Sequence, residues 1–370
     1  MKEEEAFDAF RERHPYHMHD AILAQPGAFA EVVGRVEGAI VRFAERASEC
    51  RRVYLVGIGT SQHAARVGEH LFRYYGGADS PEARAVNSFD FVLYGPELVS
   101  EDCVVVLSHR GTKRFSAEAL RRAEDAGCLT ALVTGKGAKP EVTANATFET
   151  VEQENSSAFT VSYAGTIAVL ASFARHLVGN GGASVPSDNL LREELPTLMR
   201  EALGTEEEAA ALAHENAGRR RIFVSGGGPS AVTAEEVALK IRETSYLQAE
   251  GMQAETMLHG HFQSAEADDL FVLIAPADAA QERTLELAGA AREIGAPVVL
   301  VDDGTADPSG LTRAARRLTV PPVLEPFTAL TCLVPLQLFA YHLALARGTN
   351  PDIFRTDDAR FARVRSSVQL

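Results

Sequence analysis

The chain has few cysteines, too few basic residues to balance its acids, and no apolar run as long as a bilayer requires. Each shortage excludes something. The four cysteines, Cys50, Cys103, Cys128 and Cys332, are scattered without a CxxC pair. They read as small core or surface residues, not as a disulfide framework or a zinc site. Lysine and arginine number 36 against 51 aspartates and glutamates, a formal net charge of −15. That balance argues against nucleic acid as a partner. It leaves anionic small molecules open, because a local nest of amides and hydroxyls binds phosphate whatever the global charge. With no spanning run and no secretory apolar segment in "MKEEEAFDAF", no membrane partner is expected and a cytoplasmic location is the default. The acidic lead-in is also too short for a fused DNA-binding domain.

What is present is strand–helix alternation. At 370 residues the chain has room for about two domains. "VYLVGIGTSQHAAR", Val53 to Arg66, reads as a doubly covered strand, a glycine turn and a helix start. Gly57 and Gly59 permit a sharp bend and a close ligand approach. Thr60 and Ser61 offer hydroxyls and candidate helix caps, and the first helical amides and the dipole favour an anion. The third glycine of the dinucleotide fingerprint is missing, since Gln62 and His63 follow instead. A dinucleotide, another phosphate and an empty turn all stay open on this segment alone.

The pattern then recurs. "RRVYLVGIGTSQHAARVGEHLFRYY" begins near residue 51 and "RRRIFVSGGGPSAVTAEEVALKIRETSY" near residue 219. Each is followed by further strand and helix: "DCVVVLSHRGT" and "LTALVTG" after the first, "DLFVLIAP" and "PVVLVDDG" after the second. The rhythm predicts an α/β protein of two similar doubly wound domains with parallel sheets flanked by helices. The expected division is a helical lead-in over 1–50, a first domain over 51–183, a second over 200–346 and a tail over 347–370. "VGNGGASVPSDNLLREEL" is the expected linker.

Ligands of open parallel sheets bind beyond the carboxyl ends of the strands. That rule gathers Gly57–Ser61, Ser108–Lys113 and Asn155–Ser157 around one crevice. "SHRGTK" is crowded with donors, and Arg110 and Lys113 suit a phosphate dianion. A solvated basic loop is the competing reading. The matching turn of the second repeat, Gly226–Ser230, is followed by "IAPADA" where a Ser/Thr loop would be, so it is expected to be structural.

Three stretches carry a more specific likeness: "YHMHDAILAQP", "ALKIRETSYLQAEGMQAETMLHGH" and "VPLQLFAYHLALARGTNPD". With these, in this order, the chain resembles the sugar isomerase (SIS) domain family over about residues 15–360, most closely the isomerase half of glucosamine-6-phosphate synthases. The resemblance implies that the first turn holds a sugar phosphate. It places Gly59, Thr60 and Ser61 in the first phosphate turn, and Ser108, Arg110, Gly111, Thr112 and Lys113 in the second. Arg110 and Lys113 stand where the family has hydroxyls. Asn155, Ser156 and Ser157 match the third substrate loop.

The resemblance further implies that Glu243 is the base moving a proton between C1 and C2, that His259 opens the sugar ring, and that Lys240 offsets substrate charge or orients Glu243. Read from the residues alone, Lys240 and Glu243 are also a plain surface pair at i,i+3. A His259–His261 metal site lacks companion ligands, so neither a metal nor a cofactor is expected. Relatives complete the site across a homodimer interface with the histidine of the neighbouring chain, and the same is expected here.

Two departures stand out. The family's tail lysine falls near Ala359, and no lysine follows Lys240, so Schiff-base chemistry through the tail is not expected. No glutaminase half precedes the resemblance, so glutamine hydrolysis is not expected of this chain. The expected activity is that of a phosphosugar isomerase on a ketose or amino-sugar phosphate, with deamination and deglycation sharing the same intermediate. A catalytically silent phosphosugar sensor is the alternative, and a nucleotide-dependent oxidoreductase is a more distant one.

Overall fold

The structure, a computed structural model, describes residues 11–77, 80–177, 185–306 and 315–368. The first half runs α1 (His17–Ala47), β1 (Arg52–Gly57), α2 (Thr60–Tyr75), β2 (Glu82–Asn87), α3 (Ser88–Leu93), β3 (Asp102–Leu107), α4 (Arg114–Asp125), β4 (Leu129–Thr134), β5 (Ala146–Glu149) and α5 (Val161–Leu177). The second half runs α6 (Leu195–Leu203), α7 (Glu206–Asn216), β6 (Ile222–Gly226), α8 (Gly228–Ser245), β7 (Ala249–Gln253), α9 (Ala254–Leu258) and β8 (Leu270–Ile274). It continues with α10 (Gln281–Glu293), β9 (Val298–Asp302), β10 (Arg316–Thr319), α11 (Glu325–Thr331), α12 (Leu333–Ala346) and α13 (Ala359–Ser367).

Each half forms a five-stranded parallel sheet. The orders are β2-β1-β3-β4-β5 and β7-β6-β8-β9-β10, the same winding twice. Central strands such as "CVVVL" and "LFVLI" are buried throughout, because helices cover both faces. The edge strands "EARAVN" and "RRLT" are short, charged and partly exposed, which discourages pairing with another chain. The paired arginines that open each repeat have a shared purpose. Arg52 holds the fully buried Asp102 through two bonds of 2.9 and 2.8 Å, pinning the start of β1 to β3. Arg221 and Arg220 do the same for Asp269 between β6 and β8.

One apolar core runs through both halves and takes in α1, α5, α8 and α12. The lead-in helix is tied down by polar contacts as well. The amides of His17 and Met18 donate to Asp352 at 2.9 and 3.0 Å, and His19 and His342 both meet Glu206.

Three expectations need correcting. The helical stretch Glu325–Ala346 is, by length and composition, apolar enough to cross a membrane. Its residues are mostly buried, as suits a central helix touched by neighbours on all sides. The later part of the expected linker is not a linker: Leu190–Glu194 forms a π-helical turn that runs directly into α6. Residues 178–184 of it lie outside the described residues. The cysteines are less scattered in space than in sequence. Cys50 and Cys103 lie close enough to shift each other's titration near the amino-terminal ends of β1 and β3, while the Cys50 thiol donates to the Arg46 carbonyl and all four thiols are free.

Candidate functional site

The first glycine turn is built by close packing. A Cβ on Gly57 would lie 2.6 Å from the Ser61 carbonyl, so only glycine lets the helix start fold back onto β1. Gly59 takes φ +58° and is the N-cap of α2. The amides of Ser61, Gln62 and His63 close the turn onto Ile58 and Gly59. Neither Thr60 nor Ser61 caps the helix with its side chain, contrary to expectation. The Thr60 hydroxyl turns instead toward α8, in the second repeat.

There it joins a buried ionic cluster. Lys240 is 1% exposed and places its ammonium 2.7 Å from Glu243 Oε2, 3.0 Å from Thr60 Oγ1 and 3.4 Å from Glu236 Oε1. Thr60 donates to Glu236 Oε1 at 3.1 Å, and His63 Nδ1 lies 2.6 Å from Glu236 Oε2. Residues 236, 240 and 243 share one face of α8, spaced by one turn each. The Lys240–Glu243 pair is therefore not a surface pair.

Burial pulls the Lys240 ammonium down, but the charges of Glu236 and Glu243 outweigh it and raise its pKa. Burial pushes Glu236 up, yet the charge of Lys240 and the hydrogen bond to His63 outweigh it and hold it below the usual range. For Glu243 burial prevails over Lys240, and its pKa is raised. Its side chain keeps 20% exposure, so it can be reached from outside. A carboxylate moved toward neutrality and open to a ligand suits general-base work.

The second loop also presents unmatched groups. Three donors from neighbouring loops brace the His109 carbonyl: the Gly135 amide, Thr134 Oγ1 and Gln153 Nε2. Ser108 Oγ and both ring nitrogens of His109 are buried without a hydrogen-bond partner. Burial, with Arg110 beside it, pushes His109 down to about 4. Gly111 turns at φ +71°, Thr112 is exposed, and Lys113 is the N-cap of α4. No acid lies in the first turn of α4 and no side chain caps it. Lys113 is lowered by burial and by the charges of Arg110 and Arg365. Cations at a helix start oppose its dipole, so the loop favours an added anion.

The third loop divides. Asn155 and Ser156 line an open cavity of about 500 Å³ against α1, with Arg11, His17 and Asp20, and neither Thr60 nor Glu243 lines it. The Ser157 amide donates to the Asp352 carbonyl. Glu154 lines the same cavity, and its carboxylate accepts from the amides and hydroxyls of Thr160 and Ser162 at the start of α5. It is buried, raised chiefly by that burial, and feels the Lys240 charge. The tail also returns here, since Arg365 of α13 acts on Lys113, while Ala359 opens that helix.

His259 is placed differently. It ends α9, is 74% exposed, and pairs with Glu255 at 2.7 Å, not with Glu243. The turn Gly226–Ser230 is occupied by its own chain. A Cβ on Gly227 would lie 2.1 Å from Ala280, and Ser230 Oγ donates to Asp278.

Glu236 and His63 were not foreseen as site residues. The i, i+4, i+7 spacing of Glu236, Lys240 and Glu243 was the available signal for the first. His63 carries none apart from its neighbours.

The sequence pattern of the SIS domain matches residues 48–175 and again 217–347. The chain belongs to the SIS domain family. Among relatives of this SIS protein is a glutamine–fructose-6-phosphate aminotransferase (isomerizing) of Thermococcus kodakarensis, 30% identical over 92% of this chain and 56% of the relative. The corresponding enzyme of Pyrococcus horikoshii is 28% identical over 91% and 56%. The chain thus spans about half the length of the curated relatives it matches. Among solved structures, the C-terminal domain of glucosamine-fructose-6-phosphate aminotransferase from Francisella tularensis aligns with TM-score 0.82 at 20% identity, covering 93% of this chain and 99% of that one. A tagatose-6-phosphate ketose/aldose isomerase from Escherichia coli aligns with TM-score 0.77 at 18% identity, covering 94% and 99%. These likenesses show a fold of two SIS repeats shared with both solved structures.

Proposed function

We propose that this protein is a phosphosugar isomerase acting on a ketose or amino-sugar phosphate of the fructose 6-phosphate and glucosamine 6-phosphate type. One observation carries the reading: a reachable carboxylate with a raised pKa, Glu243, sits beside the glycine turn of the other repeat, joined to it by Lys240 and Thr60.

In this reading the substrate phosphate lies between the Gly59–Ser61 turn and the Ser108–Lys113 loop. The Ser108 hydroxyl gains the partner it lacks, and Arg110 and Lys113 supply charge. Glu243 takes a proton from one of C1 and C2 and returns it to the other, passing through an enediol with no net change in atoms. Lys240 keeps Glu243 ionised between turnovers and fixes its direction. Deamination and deglycation use the same proton transfer and belong to the same site.

Ring opening falls to His259. Its exposure and its pairing with Glu255, not with Glu243, support a role in the site of a second copy, within a homodimer. A turnover panel of fructose 6-phosphate, glucosamine 6-phosphate and fructosamine 6-phosphate tests the proposal. Conversion of at least one is expected. Binding of all three with conversion of none would instead establish a sensor.

A further inference from the structure

His63 is the one imidazole in the ionic cluster, and the proton chemistry above leaves it without a task. It follows Thr60 by one turn of α2, so both side chains reach α8 together. Between them they hold both oxygens of Glu236: Thr60 on Oε1 at 3.1 Å, His63 Nδ1 on Oε2 at 2.6 Å. Glu236 is fully buried, and its other ionic partner is Lys240, whose ammonium it shares with Glu243. The imidazole and the proposed base are thus two contacts apart along one chain of charges.

We propose that His63 is a positioning residue for Glu243: through the carboxylate of Glu236 it sets how much of the Lys240 charge bears on the base. The inference rests on the reading of Glu243 as the proton-transfer group.

The argument follows from counting charges. With His63 neutral, its Nδ1–H donates to Glu236, and the charge of Glu236 balances Lys240. Glu243 is then the less restrained of the two carboxylates, and it is the more basic one. With His63 protonated, imidazolium and Glu236 form their own pair. The charge of Lys240 then falls on Glu243, which becomes a weaker base. At these short buried separations one added charge is felt strongly.

The surroundings of His63 are mixed. On α8, Glu235 Oε2 lies 3.8 Å from Nε2 and also pairs with Arg66 of α2. From α5 comes Tyr163, whose buried hydroxyl has no partner and which feels Glu235, Glu236 and Arg66. Glu325 of α11 lies against Gly228 instead, and on β2 Glu82 and Arg84 pair with each other. Histidine changes charge in the neutral range, where carboxylates and lysines ordinarily do not. In this proposal the neutral imidazole leaves Glu243 the stronger base, so activity falls on the acid side as the imidazole gains a proton.

The test compares wild type with His63→Gln, whose amide donates to Glu236 at every pH. Protein labelled with ¹³C at glutamate carboxyls is titrated, and the Glu243 signal is assigned by its loss in Glu243→Gln. In wild type that signal should show an inflection coinciding with the imidazole titration of His63. The inflection should vanish in His63→Gln. In parallel, wild-type kcat/KM should step down through that midpoint to a lower level set by the weaker base, and the variant should lack this step.

A Glu243 signal with no inflection at the imidazole midpoint overturns the proposal, and wild type alone decides this even where the variant does not fold. An acid limb identical in both proteins overturns it as well. Failure of wild type to convert any sugar phosphate would overturn the proposed activity. The carboxyl titration would still decide the coupling.

Discussion

Replacing Lys240 by methionine keeps the length of the side chain and removes the charge that holds the two repeats together electrically. In the native protein this ammonium, 1% exposed, is shared by Glu243, Thr60 and Glu236. Without it Glu236 retains only His63 and Thr60, and Glu243 loses its partner. Breaking a buried pair by removing one member typically costs about 3–5 kcal/mol, because an uncompensated charge is left behind. Part of that cost is avoidable, since the stranded carboxylates can take up protons.

The sign is then fixed. In wild type the Glu236 pKa is lowered, so its stabilising contribution is present above the ordinary carboxylate range and fades as pH falls through the folded value. In Lys240→Met the folded carboxylate values rise, so stability decreases as pH rises through them. The destabilisation should be larger at pH 8 than at pH 5. Urea unfolding at both values measures it, together with Glu236→Gln and the double variant. The double variant should cost less than the sum of the singles by about 1–3 kcal/mol, as groups sharing one buried network do. Additive costs, or a Lys240→Met loss under about 1 kcal/mol and equal at both pH values, would refute the reasoning.

Three further outcomes are expected. Lys113→Ala should raise KM by about tenfold or more with kcat little changed, as removal of a charged phosphate contact does; an unchanged KM would move the anion elsewhere. Asp278 is raised to about 6, mainly by burial and then by Glu325, so its folded form loses stability as pH rises from about 4 to about 6. Asp278→Asn should therefore stabilise the fold at pH 7–8 by on the order of 1 kcal/mol after solvent screening, read as a higher Tm, and leave Tm unchanged at pH 4. Mixing inactive Glu243→Gln with impaired His259→Asn should restore about a quarter of wild-type sites with a closed-ring substrate, the statistical yield of shared sites in random dimers. No recovery after subunit exchange would confine each site to one chain.

Much of the fold was legible because its central strands are covered on both sides. "VYLV", "CVVVL", "LFVLI" and "VVLV" are near-continuous β-branched and leucine runs, and the glycine turns after the first strand of each repeat mark where a helix begins. The edge strands were not legible. "EARAVN", "ATFE", "AEGMQ" and "RRLT" are short and polar, and only pairing with a neighbour makes them strands. Glu325–Ala346 escaped notice as a long apolar helix because Thr, Gln, Tyr and His interrupt it, all of them buried or half-buried in the structure.

Of the candidate site, Thr60, Lys240 and Glu243 lie together although 180 residues separate the first two in sequence. Glu236 and His63 could not be singled out from the sequence. "TAEEVALKIRETS" reads as a charged helix face until α2 docks against it, and the burial that gives Glu236 its importance is a tertiary fact. Asn155 and Ser156 were drawn in by loop position, but loop position says nothing of which way a side chain turns. The preceding residue, Glu154, turns to Thr160 and Ser162 at the start of α5.

The central claim is that Glu243 carries a proton between C1 and C2 of a sugar phosphate. Incubating the protein with fructose 6-phosphate in D₂O and following the C1 protons by NMR tests it without depending on which product is released. Wild type should wash deuterium into C1. Glu243→Gln should still bind the sugar phosphate and should exchange about 10²–10⁴-fold more slowly, the usual loss on removing a general base. Exchange at the wild-type rate in folded Glu243→Gln would contradict the account.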